Sequence, residues 1–206
     1  MSRIFELARA EQEGWNLPRA VGALIKACQA VAFAHSKGVI HRDLKPANVM
    51  VGRFGEVYVM DWGLAKVTGR KDLHDLRLAP ASQITVTEIQ TPRGASGSTK
   101  ADSPLITMDG SVVGTPAYMP PEQAKGQIEQ VDAFSDIYSL GAILYNLLTG
   151  QAPYVEPGAR LSPHTILARV LDGPPKRIHT LNQNAPAELV AICEKAMARE
   201  KPARYQ

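Results

Sequence analysis

Asp43, Lys45, Asn48 and Asp61 fall within one short stretch, "HRDLKPANVMVGRFGEVYVMDWGLAK", residues 41–66. Moving a phosphoryl group from a nucleotide to a hydroxyl needs a divalent cation, hard oxygen ligands for it and a group that orients the attacking oxygen. One carboxylate and one amide oxygen suit magnesium, which keeps several waters and also takes phosphate oxygens. A second carboxylate in a preceding loop can orient the hydroxyl, and a lysine beside it can neutralise γ-phosphate charge. Taken singly, an Asp before a turn, an Asn beside a strand or a Lys in a loop has an ordinary structural explanation. The combination carries the chemistry.

Those residues need elements to hold them. Asn16 can cap a helix whose first turn accepts Pro18, because the missing N–H has no partner there. Val21, Leu24, Ile25, Cys28, Val31 and His35 recur at helical spacing, which predicts a core-facing helix, and Gly38 supplies its stop. "NVMV" and "EVYVM", joined by "GRFG", predict a small hairpin, with His41–Asn48 entering it and Asp61 leaving it. From about Thr68 to Gly110 apolar periodicity disappears, and a stretch dense in Ser, Thr, Gly and Pro predicts a flexible insertion. Beyond it, a strongly apolar helix is predicted from about Asp132 to Thr149, ended by Gly150. "SPHTILARVLDG" and "APAELVAICEKAMA" predict two further amphipathic helices.

Composition bounds the function. The chain has 206 residues, 45% hydrophobic and 21% charged, enough for one domain with a sizeable core. A net charge of +3 without a Lys/Arg run does not point to nucleic acid. Cys28 and Cys193 lack metal-ligand spacing and are expected to be buried thiols in a reducing cytoplasm. The charged start is no signal peptide, and the longest mostly apolar stretch, "IYSLGAILYNLL", is too short to span a bilayer. The expectation is a soluble, cytoplasmic chain without a membrane segment.

"HRDLKPAN" fits H-R-D-L-x-x-x-N at every fixed position, and a D-x-G triplet follows at hairpin distance. "GTPAYMPPEQA", "DIYSLGAILYNLLTG" and "KPARY" follow in order. With these five landmarks the chain resembles the C-terminal lobe of a eukaryotic-like (Hanks-type) protein kinase, most closely the bacterial serine/threonine kinases. The resemblance runs from about residue 17 to the end. It implies an α+β, protein-kinase-like fold, mainly helical with a small β-hairpin. It also implies ATP and Mg2+ as cofactors and a protein substrate phosphorylated on Ser or Thr, a pattern that Lys45 and the "GT" before "PAYMPPE" fit.

By position, the resemblance makes Asp43 the catalytic base or hydroxyl-orienting carboxylate. Lys45 would contact the γ-phosphate, and Asn48 and Asp61 would bind magnesium. Met50 would form the floor under adenine, or else simply hairpin core. Thr115 would bridge Asp43 and Lys45 and help seat the substrate. Arg42 would reach toward a phosphorylated residue of the activation segment, for which Thr107 and Ser111 are candidates. Autophosphorylation somewhere in that segment is implied, with a dimer as one route to it. His41 would pack on Trp62, Glu122 would pair with Arg204, and Asp136 would hold the catalytic loop through its backbone. The division implied is a post-hinge segment over 1–16, helix, catalytic loop and metal motif over 17–66, an activation segment over 67–122 with an insertion at about 70–110, and a helical subdomain over 123–206.

Trp62 stands where the family usually has Phe, and Pro120 where it has Ala; neither alters a charged role. No G-x-G-x-x-G loop or V-A-I-K strand occurs before residue 41. Those motifs belong to the N-terminal lobe, so the chain is expected to be a partial kinase domain, with "IFELARAEQE" as the helix after the hinge. Alone it should bind nucleotide poorly. The alternative is a lobe-only regulatory or binding module without catalysis; a small-molecule kinase of related fold is disfavoured by the "GTPAYMPPE" segment.

Overall fold

The structure, a computed structural model, describes residues 1–69 and 116–206. The chain opens with α1 (Ser2–Arg9) and α2 (Leu17–Ser36). Asn16 caps α2 by accepting from the Arg19 amide at 3.0 Å, and Pro18 lies in the first turn. Past its end Gly38 takes φ +72°, a left-handed turn that glycine adopts without strain. The chain then runs through β1 (Val39–Ile40), the hairpin β2 (Val49–Val51) and β3 (Val57–Val59), and β4 (Lys66–Val67).

Two antiparallel pairs are nested. In the hairpin, Val49, Met50 and Val51 face Val59, Tyr58 and Val57. Outside it, Val39 pairs with Val67 and Ile40 with Lys66. The outer pair gathers both ends of residues 41–65, so the segment before the hairpin and the segment after it must lie side by side.

The remaining chain forms α3 (Pro121–Ala124), α4 (Ala133–Thr149), α5 (Pro163–Asp172), α6 (Ile178–Leu181) and α7 (Ala187–Ala196). α4 is the axis of the core. Asp132 and Ser135 close a capping box at its start, and Gly150 at φ +81° ends it. Tyr138, Ala142, Ile143, Leu147 and Leu148 are buried along it, against Phe5 of α1, Leu24 and Val31 of α2, and Cys193 of α7. α4 and α7 come so close that a Cβ on Gly141 would lie 2.8 Å from that of Ala196.

The apolar stripe predicted on α2 divides in the structure. Leu24 and Val31 are buried, but the rest of the core side is Ala20, Ala23 and Ala27, whose small side chains let neighbouring elements approach. Ile25 is 52% exposed, and Val21, Cys28 and His35 are half-buried. These residues line an open apolar groove of about 460 Å³ with α4 and α7. Cys28 is therefore not the buried thiol expected, whereas Cys193 is; its Sγ donates to the Gly141 carbonyl at 3.3 Å. Among the described residues α2, not the stretch in α4, is also the helix long and apolar enough to cross a membrane, by length and composition only. Its alanine side, with Leu24 and Val31, faces the core. The predicted insertion lies almost wholly outside the described residues, as do Thr107, Ser111 and Thr115.

Candidate active site

The turn between β1 and β2 carries residues 41–48. Buried side chains hold its backbone, because no regular ladder is available to it. Asp136, on the first turn of α4 and 1% exposed, accepts from the His41 amide through Oδ2 at 2.8 Å and from the Arg42 amide through Oδ1 at 2.9 Å. His35 Nε2 lies 2.7 Å from the same Oδ2. Arg42 has φ +68°, a left-handed conformation unfavourable for a side chain with a Cβ, and these bonds hold it there.

His41 has one tautomer compatible with its neighbours. Its Nε2 lies 3.0 Å from the Met60 carbonyl, which can only accept, so Nε2 carries the hydrogen. Nδ1 is then free to accept the Asp43 amide hydrogen at 3.2 Å. The ring packs on Trp62 with centroids 4.6 Å apart, and the indole Nε1 donates to the Val59 carbonyl at 2.9 Å. One imidazole thus joins the segment before the hairpin to the segment after it.

Asp43, Lys45 and Asn48 form one cluster. Lys45 Nζ lies 2.7 Å from Asp43 Oδ2, both side chains largely but not fully shielded (19% and 13% exposed). Asn48 Nδ2 donates to the Asp43 carbonyl at 2.9 Å and to Asp43 Oδ2 at 3.2 Å. With its amide nitrogen so engaged, Asn48 has its Oδ1 left for a cation. The Asn48 carbonyl also accepts from the Met60 amide at 2.8 Å, which sets Asn48 beside the residue preceding Asp61. Asp61, left-handed at φ 61° and ψ 66°, is exposed. An amide oxygen and an exposed carboxylate are hard donors of the kind magnesium takes when phosphate and water complete its shell. Among the described residues no group of three or more His, Cys, Asp or Glu could hold an ion by itself.

Outside this cluster, Glu122 on α3 meets Arg204. The guanidinium donates through Nη1 to Oε1 at 2.8 Å and through Nη2 to Oε2 at 2.9 Å, a two-pronged geometry. Burial would raise the Glu122 carboxyl, but the Arg204 hydrogen bonds and charge, a backbone amide and the Ser135 hydroxyl outweigh it and hold it below the ordinary carboxylate range.

The family model for the protein kinase domain matches residues 5–88 and 94–205. The chain belongs to that family. Serine/threonine-protein kinase PknD of Protochlamydia amoebophila is 43% identical over 141 residues, 68% of this chain and 12% of that protein. PknB of Mycolicibacterium smegmatis is 37% identical over 190 residues, 91% of this chain and 24% of that protein. PknB of Mycobacterium tuberculosis is 34% identical over 188 residues, again 91% and 24%. The kinase chain described here thus spans a quarter or less of the length of these curated relatives.

Within the kinase domain, Met50 is 49% exposed and shares a hairpin face with Tyr58, 52% exposed, so the reading of Met50 as hairpin core is excluded. Arg42 is buried, and its Nε donates to the Leu64 carbonyl, placing the guanidinium beside the segment that follows Asp61. Two contributors escaped the sequence reading. His35 shares Asp136 with the loop that starts at His41, and Gln123, next to Glu122, donates from Nε2 to the Arg42 carbonyl at 2.9 Å. Each partner is 81 or more residues away in the chain, so no local pattern marks it.

Proposed function

We propose that this chain carries the catalytic and metal-binding part of an ATP-dependent protein serine/threonine kinase. The observation that carries the reading is the hydrogen-bonded cluster of Asp43, Lys45 and Asn48, set beside the segment that delivers Asp61. Asp43 accepts the proton of a substrate Ser or Thr hydroxyl as its oxygen bonds to the γ-phosphorus, while the bond from that phosphorus to the β–γ bridging oxygen breaks and ADP leaves. Lys45, already 2.7 Å from Asp43, offers its ammonium to the γ-phosphate oxygens. Asn48 Oδ1 and the Asp61 carboxylate hold magnesium, which when bound neutralises charge on the phosphates. Met50 and Tyr58 offer an apolar face to the adenine. Arg42 and Thr115 serve the activation segment and substrate, with Thr107 and Ser111 as phosphorylation candidates.

A second reading, a binding module without catalysis, draws support from the exposed apolar side chains of the hairpin. Phe54 at its tip is 92% exposed, on the same hairpin as the exposed Met50 and Tyr58. Calorimetry with Mg–ATP separates the two. Micromolar binding that Asp61→Ala abolishes, followed by phosphotransfer to a Ser/Thr peptide that Asp43→Asn abolishes, establishes the kinase. No heat with either protein favours the module.

A further inference from the structure

We infer that Gln123 is a positioning residue for Asp43, acting through the peptide that joins Arg42 to Asp43. The inference rests on the role given to Asp43 above.

That peptide is held at both ends by side chains. Its N–H, from Asp43, donates to His41 Nδ1 at a long 3.2 Å. Its carbonyl, from Arg42, accepts from Gln123 Nε2 at 2.9 Å. The preceding peptide is fixed by Asp136 through the Arg42 amide. Arg42 lies between these two peptides at φ +68°. A residue in that conformation stays there only when its surroundings over-determine it. Asp136 fixes the peptide before Arg42; Gln123 fixes the one after it. A left-handed residue gripped on both sides cannot rotate without breaking a buried hydrogen bond, and the next Cα in the chain carries the carboxylate that must meet the hydroxyl.

The orientation of the Gln123 amide is not in question. The Arg42 carbonyl can only accept, so nitrogen faces it and Oε1 points away. Gln123 is 5% exposed, and Oε1 is buried with no hydrogen-bond partner among the described residues. A buried orphan oxygen is a penalty that an apolar side chain of similar length would not carry. What the carboxamide supplies in return is the donor at Nε2. Its other surroundings form the wall of a water-sized cavity shared with Asp43, Leu44, Tyr118, Met119 and Ser139.

Gln123 is itself well anchored. Its neighbour Glu122 is clamped by Arg204 and by the Ser135 hydroxyl at 2.7 Å on the first turn of α4. The same turn carries Asp136. The two grips on Arg42 therefore come from elements locked to each other, so the geometry of the loop is referred to one rigid base.

The test compares Gln123→Met, which keeps the length and removes the donor, with Gln123→Glu, which can donate only when protonated. Amide hydrogen exchange at Asp43 is read beside that at Leu144 in α4, and kcat and KM are read from pH 6 to 8.5 on a Ser/Thr peptide with Mg–ATP. Gln123→Met is expected to speed exchange at Asp43 by about tenfold with Leu144 unchanged. It should lower kcat by about tenfold or more while KM for ATP stays within about twofold. Burial against the Arg42 carbonyl disfavours the charged form of a glutamate here, so Gln123→Glu should regain kcat relative to the wild type as pH falls and its protonated acid restores the donor. Wild-type exchange at Asp43 together with wild-type kcat in Gln123→Met overturns the inference. Equal acceleration at Asp43 and Leu144 also overturns it, since that is general loosening. If the wild-type protein transfers no phosphate, the proposed reaction fails on its own, and exchange at Asp43 still decides whether Gln123 holds the loop.

Discussion

Glu122 and Arg204, 82 residues apart in sequence, meet as a fully buried two-pronged ion pair with both bonds under 3 Å. Arg204 is 1% exposed, and its remaining donors go to the carbonyls of Phe134, Ala198 and Arg199. The pair therefore ties α3 to the start of α4 and to the last turn described. Its worth lies in placement: a buried pair contributes little against an apolar replacement, but half of one is costly.

Removing either partner alone should be severe. Glu122→Ala leaves the Arg204 guanidinium buried without its counter-charge, and Arg204→Ala does the reverse. Each is expected to cost about 3–5 kcal/mol. For a chain of this size that lowers Tm by roughly 6–20 °C. Thermal unfolding followed by circular dichroism checks it; a shift below about 2 °C for both variants would contradict the pair's structural role.

The same pair sets a pH dependence. Because the folded-state pKa of Glu122 is below its ordinary value of 4.5, the unfolded chain binds more protons in the window below that value. The stabilisation is fully present above pH 4.5 or so and is lost as pH falls through the depressed folded value. Unfolding free energy measured by urea titration from pH 7 down to pH 3 should drop across that window. Glu122→Gln should show a shallower drop, starting from a lower plateau. An identical slope in both proteins would place the proton uptake elsewhere.

Asp136 should couple stability to the loop. Asp136→Asn keeps the shape, but an amide has one oxygen where the carboxylate has two, so an NH2 group must face a backbone N–H or the His35 ring. Loss of a charge-assisted acceptor of this kind costs about 1.5–3 kcal/mol. The signature is spatial: backbone amide exchange at His41 and Arg42 should accelerate far more than at Ile143, deep in α4. Uniform acceleration would mean that Asp136 merely packs.

Much of this site is written in consecutive residues. The clustering of Asp43, Lys45 and Asn48 was legible because type and spacing mark it, and α4 was legible because Asp132 and Gly150 mark its ends. The β1–β4 pair was not, since two residues on each side carry no period. α3 and α6, four residues each, are too short for propensity to register and exist because their neighbours hold them. On α2 the periodicity found an apolar stripe but could not tell core from groove, because the alanines that let neighbouring elements approach have a weak hydrophobic signal. Gln123 and His35 act through partners brought near only by the fold.

Gly141 offers a case where two local rules oppose each other. In the interior of α4, replacing glycine by alanine should gain about 1 kcal/mol of helix propensity. The new Cβ, however, would sit 2.8 Å from the Ala196 Cβ and 2.9 Å from Met197 Cγ. The alanine methyl has no torsion by which to withdraw, so α7 must shift, and overpacking of this kind costs about 1–3 kcal/mol. Gly141→Ala is therefore expected to be net destabilising, with Tm lowered by about 2–4 °C per kcal/mol. Ala196→Gly removes the nearer obstacle at its own helix-propensity cost. The two substitutions should couple favourably, the double variant losing less than the sum of the singles by about 1 kcal/mol. Additive losses in thermal unfolding would show that α4 and α7 do not meet at this point with the closeness described.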